Sequence, residues 1–221
     1  MKEYVKSIQP NCIVSGRIGN GLGEYMSTGD NFIPSGVFEG DWEVPATLND
    51  TWGFKENDHN WKDPKEVLRW LLKINSRGGS YLLNVGPDGK GIIPKPSADI
   101  LREVGAWLKT NGDAIYGTKA VQGYPYDVDS FFLTGKDYRL YVNTLAKAGK
   151  IFQVQMLKSP VKKAILLGTG KEVKFTQSYA KASDIWRVHI TLPGQLPYAY
   201  YNTVALEIED KVPEFSSLDS I

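Results

Sequence analysis

Residues 63–85 read DPKEVLRWLLKINSRGGSYLLNV, a helix followed at once by a strand. Asp63 is placed to cap the helix, Pro64 takes the first helical position, and Glu66 three residues after the cap completes a capping box. Val67, Leu68, Leu71, Leu72 and Ile74 give a wide apolar face, and Trp70 among them reads as core packing. Gly78-Gly79 ends the helix. Tyr81 to Val85 is then a continuous apolar run, the pattern of a strand covered on both faces in a parallel sheet. Asn84 interrupts it at a strand end, where it either holds a loop or faces a site; the structural role is the reading taken.

The flanking segments repeat this alternation. Downstream, Ser97 is expected to cap a second helix, with Ile100, Leu101, Val104, Trp107 and Leu108 on one face and Asn111-Gly112 as its stop. Upstream, residues 41–54 read DWEVPATLNDTWGF, a short buried strand (Val44, Ala46, Leu48) followed by a polar turn and a second aromatic. Further upstream, Tyr4, Val5 and Ile8 mark the last turns of an amphipathic helix stopped by Pro10. CIVS, from Cys12, reads as a buried strand directly after it. A helix end running into a strand is the interior of an α/β repeat, so residues 1–114 form one α/β region. Residues 16–40 are Gly-, Asn-, Ser- and Thr-rich and too long for a plain connection, which points to a functional or a disordered loop.

From Ile115 the periodicity changes to two. Strands are expected at 130–134, 139–144, 152–157, 164–167, 185–191 and 204–208, with 173–175 as a further candidate. Short strands at this spacing predict an antiparallel sandwich over residues 115–209. His189 alternates within a strand and reads as structural. The tail, 210–221, has few apolar residues and reads as mobile.

Composition narrows the function classes. Lys and Arg number 26 against 25 Asp and Glu, a net charge of +1 that gives no argument for nucleic acid or an anionic membrane. No apolar run approaches the ~20 residues a membrane span needs. The single cysteine, Cys12, allows no internal disulfide and reads as a small core residue. His59 is one of two histidines, without a spaced partner of the metal-ligand kind, and reads as an exposed loop residue. The Gly86–Gly91 turn lacks the GK[ST] of a phosphate loop. No metal and no cofactor is expected.

The chemistry concentrates in DWEVPATLNDTWGF. Glu43 directly follows Trp42, and Trp52-Gly53 lies just beyond. A carboxyl group against an indole face is partly desolvated, which favours its neutral form, as a general acid near neutral pH requires. The plainer reading makes Glu43 a surface carboxylate at a strand end and the tryptophans core. Arg17, just past the first strand, is either a site residue or a solvated arginine in a glycine loop.

Four blocks resemble the α-L-fucosidases of glycoside hydrolase family 29. Trp42-Glu43, Thr47 and Thr51-Trp52-Gly53-Phe54 are similar to that family's "WE…T…SWGY" segment. Gly78 to Pro87 with Asp88-Gly89 resembles its "GGNYLLNIGP…DG" run, and LREVGAWLKTNGDAIY, 101–116, its "L..VGKWL..NGEAIY" segment. Ser15 to Gly19 resembles a variant of "NDRWG", departing at Ser15-Gly16 and Ile18. The resemblance implies the C-terminal part of a (β/α) barrel over 1–114, followed by the sandwich. It implies Glu43 as the acid/base of a retaining enzyme, Arg17 near the sugar, and Trp42 and Trp52 as apolar surface for fucose. It places the nucleophilic aspartate before Asn11, so the chain is expected to be a fragment lacking that residue. The implied partners are a fucosylated glycoconjugate and the N-terminal half of the barrel or another subunit. The family is commonly exported, implying a secreted or periplasmic parent. The alternatives are a non-catalytic truncated product, a split enzyme completed by a separate piece, or a carbohydrate-binding module.

Overall fold

The computed structural model describes residues 1–35, 38–121, 123–124 and 131–216. Its first half holds three helices, α1 (Lys2–Ile8), α2 (Pro64–Ser76) and α3 (Lys95–Asn111). Among them runs a parallel sheet of β1 (Met26–Ser27), β2 (Trp42–Thr47) and β3 (Ser80–Asn84) in that order. The Glu66 N–H donates to Asp63 Oδ1 (2.7 Å), so α2 starts where its cap was expected. Val67, Leu68, Leu72 and Ile74 are buried at 1% exposure or less. Each such side chain stabilises the fold by roughly 1.5–3 kcal/mol. They pack on the even-numbered side chains of β2 and on Tyr81 and Leu83 of β3.

Several expectations shift in this half. CIVS forms no named strand: Ser15 makes one isolated parallel bridge to Tyr25, Ile13 is exposed, and Cys12 is only half-buried. Without neighbours on both sides an apolar run has no ladder to join. Leu82 in β3 is likewise 51% exposed, because only one face of the sheet carries helices. Helix α3 begins at Lys95, and Ser97 is a buried residue of its first turn, not its cap. Leu101 lies outside the buried face made by Ile100, Val104 and Trp107.

The second half is antiparallel. One sheet holds β4 (Lys119–Ala120), β5 (Phe131–Lys136), β6 (Arg139–Thr144), β8 (Val161–Leu166), β9 (Lys171–Glu172) and β12 (Asn202–Ile208), in the order β4-β5-β6-β12-β8-β9. The other holds β7 (Ile151–Leu157), β10 (Lys174–Ala180) and β11 (Ile185–Thr191), in the order β10-β11-β7. Leu140, Val142, Val154, Leu157, Val188, Ile190, Val204 and Leu206 fill the space between them. The strand candidate at 173–175 is the start of the seven-residue β10. The expected strand start at Ser130 lies outside the described residues.

The two halves share a core. Phe132 and Tyr201 of the sandwich pack with Trp107, Leu72 and Ile115, and Trp107 Nε1 donates to the Tyr201 carbonyl (2.8 Å). The tail is a correction through Ser216. Phe215 is buried against Tyr124, Lys158 N donates to the Glu214 carbonyl (2.9 Å), and Ser216 N donates to Met156 O (2.9 Å). Polar residues hid a segment held by its backbone; 217–221 lie outside the described residues.

Candidate active site

Strand alternation decides which side chains can form a site. Successive residues of a strand point to opposite faces. Trp42 and Val44 pack with Ile74, Trp70 and Tyr81 on the helix side. Glu43, Pro45 and Thr47 therefore face the other way. The register pairs Ser27 with Glu43 and Glu43 with Ser80, so these three side chains form one row across the inner face. Leu82 and Asn84 of β3 share that face. Among these described inner-face positions of β1–β3, Glu43 is the one carboxylate.

Arg17 is built onto the same row. It lies in a single 3-10 turn, Gly16–Ile18, whose Ser15 side chain accepts from Arg17 N. Its Nε donates to Ser27 Oγ (2.9 Å), Nη2 donates to the Thr28 carbonyl (3.3 Å), and the guanidinium pairs with Asp30. The hydrogen bond to Asp30 raises the Arg17 pKa first, and the charges of Asp30 and Glu43 add to it. The Arg17 guanidinium is thus bonded to Ser27, the β1 residue paired with Glu43. The sequence left Arg17 open between a site residue and a solvated loop residue; the structure makes it the residue that ties the loop to the sheet.

Trp42 is corrected. It was expected to offer its ring to a sugar and to desolvate Glu43. It is 2% exposed, tilted against Phe38 at 5.7 Å, and on the helix side of the sheet. Gly79 packs so tightly on the ring that a Cβ there would lie 2.6 Å from it. Trp52 differs: it is 39% exposed, in the loop that follows β2. Asn84 Nδ2 donates to the Trp52 carbonyl (2.7 Å), the loop-holding role read for that residue.

Two organising residues escaped the sequence reading. Asp58 is buried in a loop that looked merely polar. It accepts from Asn49 Nδ2 (2.9 Å), Thr51 Oγ1 (2.8 Å) and Asn60 N (3.3 Å). Burial opposes its charge, but the Thr51 hydroxyl and the backbone N–H groups of Asn60, Thr51 and Asp50 outweigh it and hold its pKa below the ordinary aspartate value. Asn31 Oδ1 accepts from Thr47 N (3.0 Å), which ends β2. The signal for both was composition: Asx and Thr residues clustered at strand ends close turns through their side chains. Asn49, Gly53, Phe54, Asp58, His59 and Gly86 line part of a 240 Å³ cavity beside this loop, and Glu43 is not in its wall. Among the described residues no His/Cys/Asp/Glu group could hold a metal, and no helix is long and apolar enough to cross a membrane.

A carboxylate inside a parallel β/α wall, an arginine beside it and an aromatic in the loop at the strand end form an arrangement suited to a glycoside hydrolase. Comparison narrows the class. The α-L-fucosidase family model matches residues 1–113, and the chain belongs to that family, glycoside hydrolase family 29. It is 30% identical to plasma alpha-L-fucosidase of Rattus norvegicus over 165 residues, which is 71% of this chain and 36% of the rat protein. It is 32% identical to alpha-L-fucosidase of Dictyostelium discoideum over 118 residues, 51% of this chain and 26% of that one. Alpha-L-fucosidase isoenzyme 1 from Paenibacillus thiaminolyticus superposes with a TM-score of 0.83 at 32% identity, over 95% of this chain and 53% of that one. The alpha-L-fucosidase of Vibrio sp. strain EJY3 shares the fold, with a TM-score of 0.84 at 24% identity over 95% of this chain and 38% of that one. The chain thus spans about a quarter to a half of the length of these relatives.

Proposed function

We propose that the chain is part of a retaining exo-α-L-fucosidase in which Glu43 is the acid/base. The observation that carries this reading is the row Ser27–Glu43–Ser80 on the inner face, with Glu43 as its carboxylate and the Arg17 guanidinium tied to Ser27. Protonated Glu43 gives its proton to the leaving glycosidic oxygen while a second carboxylate attacks the anomeric carbon and forms a glycosyl ester. Ionised Glu43 then takes a proton from water as that water attacks the anomeric carbon and breaks its bond to the carboxylate, which frees fucose and regenerates the nucleophile.

The two carboxyl groups of such an enzyme stand about 5–5.5 Å apart. The described inner-face positions of β1–β3 supply one, and Asp30 is engaged by Arg17. We therefore place the attacking aspartate outside these 221 residues. Trp52 offers apolar surface to the methyl group and C–H face of a terminal fucose on a glycoconjugate. The purified chain is expected to release no nitrophenol from para-nitrophenyl α-L-fucoside, and to do so when mixed with a polypeptide carrying the rest of the barrel. Turnover by the chain alone would overturn the placement of the nucleophile and turn attention to Asp30. Inactivity of the mixture, with the two pieces bound, would favour an accessory role.

A further inference from the structure

We propose a second, non-catalytic site on the sandwich that binds a neutral sugar ring, built around Tyr138 at the tip of the β5–β6 hairpin. A 420 Å³ cavity lies there, walled by Lys136, Arg139 and Lys162 as cations and by Asp113, Asp137 and Glu207 as carboxylates, with Tyr138 at its edge. That volume falls within the ~300–1,000 Å³ of small-molecule sites.

Lys136 pairs with Arg139, so Asp137 and Tyr138 are the whole turn, and both have positive φ, 27° and 62°. Such two-residue turns normally place glycine or asparagine there, and a bulky aromatic is an outlier. Residues held in such conformations cluster at functional sites. Tyr138 is nonetheless pinned on both sides: its N–H donates to the Lys211 carbonyl (2.9 Å) and its carbonyl accepts from Ile208 N (2.9 Å). The ring is left 52% exposed beside the cavity. The fold thus holds an aromatic in an unfavourable conformation where it makes no core.

The wall chemistry selects the ligand. Three cations face three carboxylates, so the cavity has no net charge to attract a phosphate or a polyanion. Sugar hydroxyls both donate and accept, and a wall of mixed signs satisfies both needs. Arg139 is already oriented, 3.4 Å from Glu207. Its pKa is raised, first by a hydrogen bond to Tyr141, with Glu207 and Asp113 contributing. An exposed tyrosine face suits the apolar C–H face of a pyranose. This inference does not rest on the assignment of Glu43.

The test is a titration of the isotope-labelled chain with lactose, followed by amide NMR shifts. Shifts centred on residues 136–141 and 207 are expected. Tyr138→Gly, which relieves the turn while removing the ring, is expected to lower affinity about tenfold or more with thermal stability equal to or above the parent's. Glu207→Gln is expected to weaken binding without unfolding. No shifts up to high millimolar lactose, unchanged affinity in Tyr138→Gly, or saturation of the same amides by inorganic phosphate with lactose silent would each overturn the proposal.

Discussion

Glu43 and Trp42 are consecutive in sequence and lie on opposite faces of β2, one in the inner row and the other under the helices. Their substitutions therefore separate cleanly. Trp42→Ala removes a buried ring and should cost ~3–5 kcal/mol of unfolding free energy. Trp42→Phe should cost less, since the Trp42 indole N–H has no acceptor among the described residues. Glu43→Gln should stay within ~0.5 kcal/mol of the parent. Urea denaturation followed by circular dichroism measures all three, and equal effects would contradict the face assignment.

Gly79 tests the same packing from the other side. A Cβ there would meet the Trp42 ring at 2.6 Å. Gly79→Ala should therefore destabilise by roughly 1–3 kcal/mol. A neutral or stabilising result in the same denaturation experiment would show that the ring has room to move.

Asp58 predicts a pH dependence with a definite sign. Its folded pKa lies below the ordinary value of about 3.9. As pH falls, the unfolded chain therefore takes up the proton first, and stability falls with it. The contribution is fully present above the ordinary value and is lost as pH drops through the folded one. The slope of the urea midpoint against pH in that acidic window should be shallower in Asp58→Asn than in the parent. Identical slopes would contradict the role given to Asp58.

Trp107 joins the α/β half to the sandwich through its bond to the Tyr201 carbonyl. Trp107→Phe keeps most of the ring and leaves that buried carbonyl one donor short, at a cost of ~1–3 kcal/mol. Because both halves contribute to one core, parent and variant should each unfold in a single coincident transition, read by near- and far-ultraviolet circular dichroism, with the midpoint lower in the variant. Two separated transitions in the parent would contradict the shared core.

The tail gives a sharp contrast. A mobile 210–221 could be removed freely, whereas Phe215 is buried at 5% exposure and bridged to Leu157. Phe215→Ala should cost ~3–5 kcal/mol, measured as a lowered urea midpoint. No change would restore the mobile-tail reading.

Periodicity and caps made the helix–strand alternation and the antiparallel half legible, because Asp63, Pro64 and Gly78 act through local backbone chemistry. What depended on distant neighbours was harder to read. CIVS is apolar enough for a strand, but a strand needs partners, and Ser15 has one bridge. Trp42 beside Glu43 suggested a shared pocket, yet alternation along β2 separates them. Asp58 was invisible because donors from Asn49, Asp50, Thr51 and Asn60 converge on it only after the loop closes. Arg17 and Glu43 could be named from motif blocks, whereas the row that relates them required the register of β1–β3.

The most direct test of the account is chemical rescue of Glu43→Gln in the enzyme completed by the rest of its barrel, using para-nitrophenyl α-L-fucoside and azide. An acid/base is worth about 10²–10⁴ in rate, and azide attacks the glycosyl ester without needing a base. Loss of turnover in Glu43→Gln, restored by azide with formation of a fucosyl azide, is the predicted result. Turnover close to the parent's, or a loss that azide leaves untouched, would contradict the assignment of Glu43.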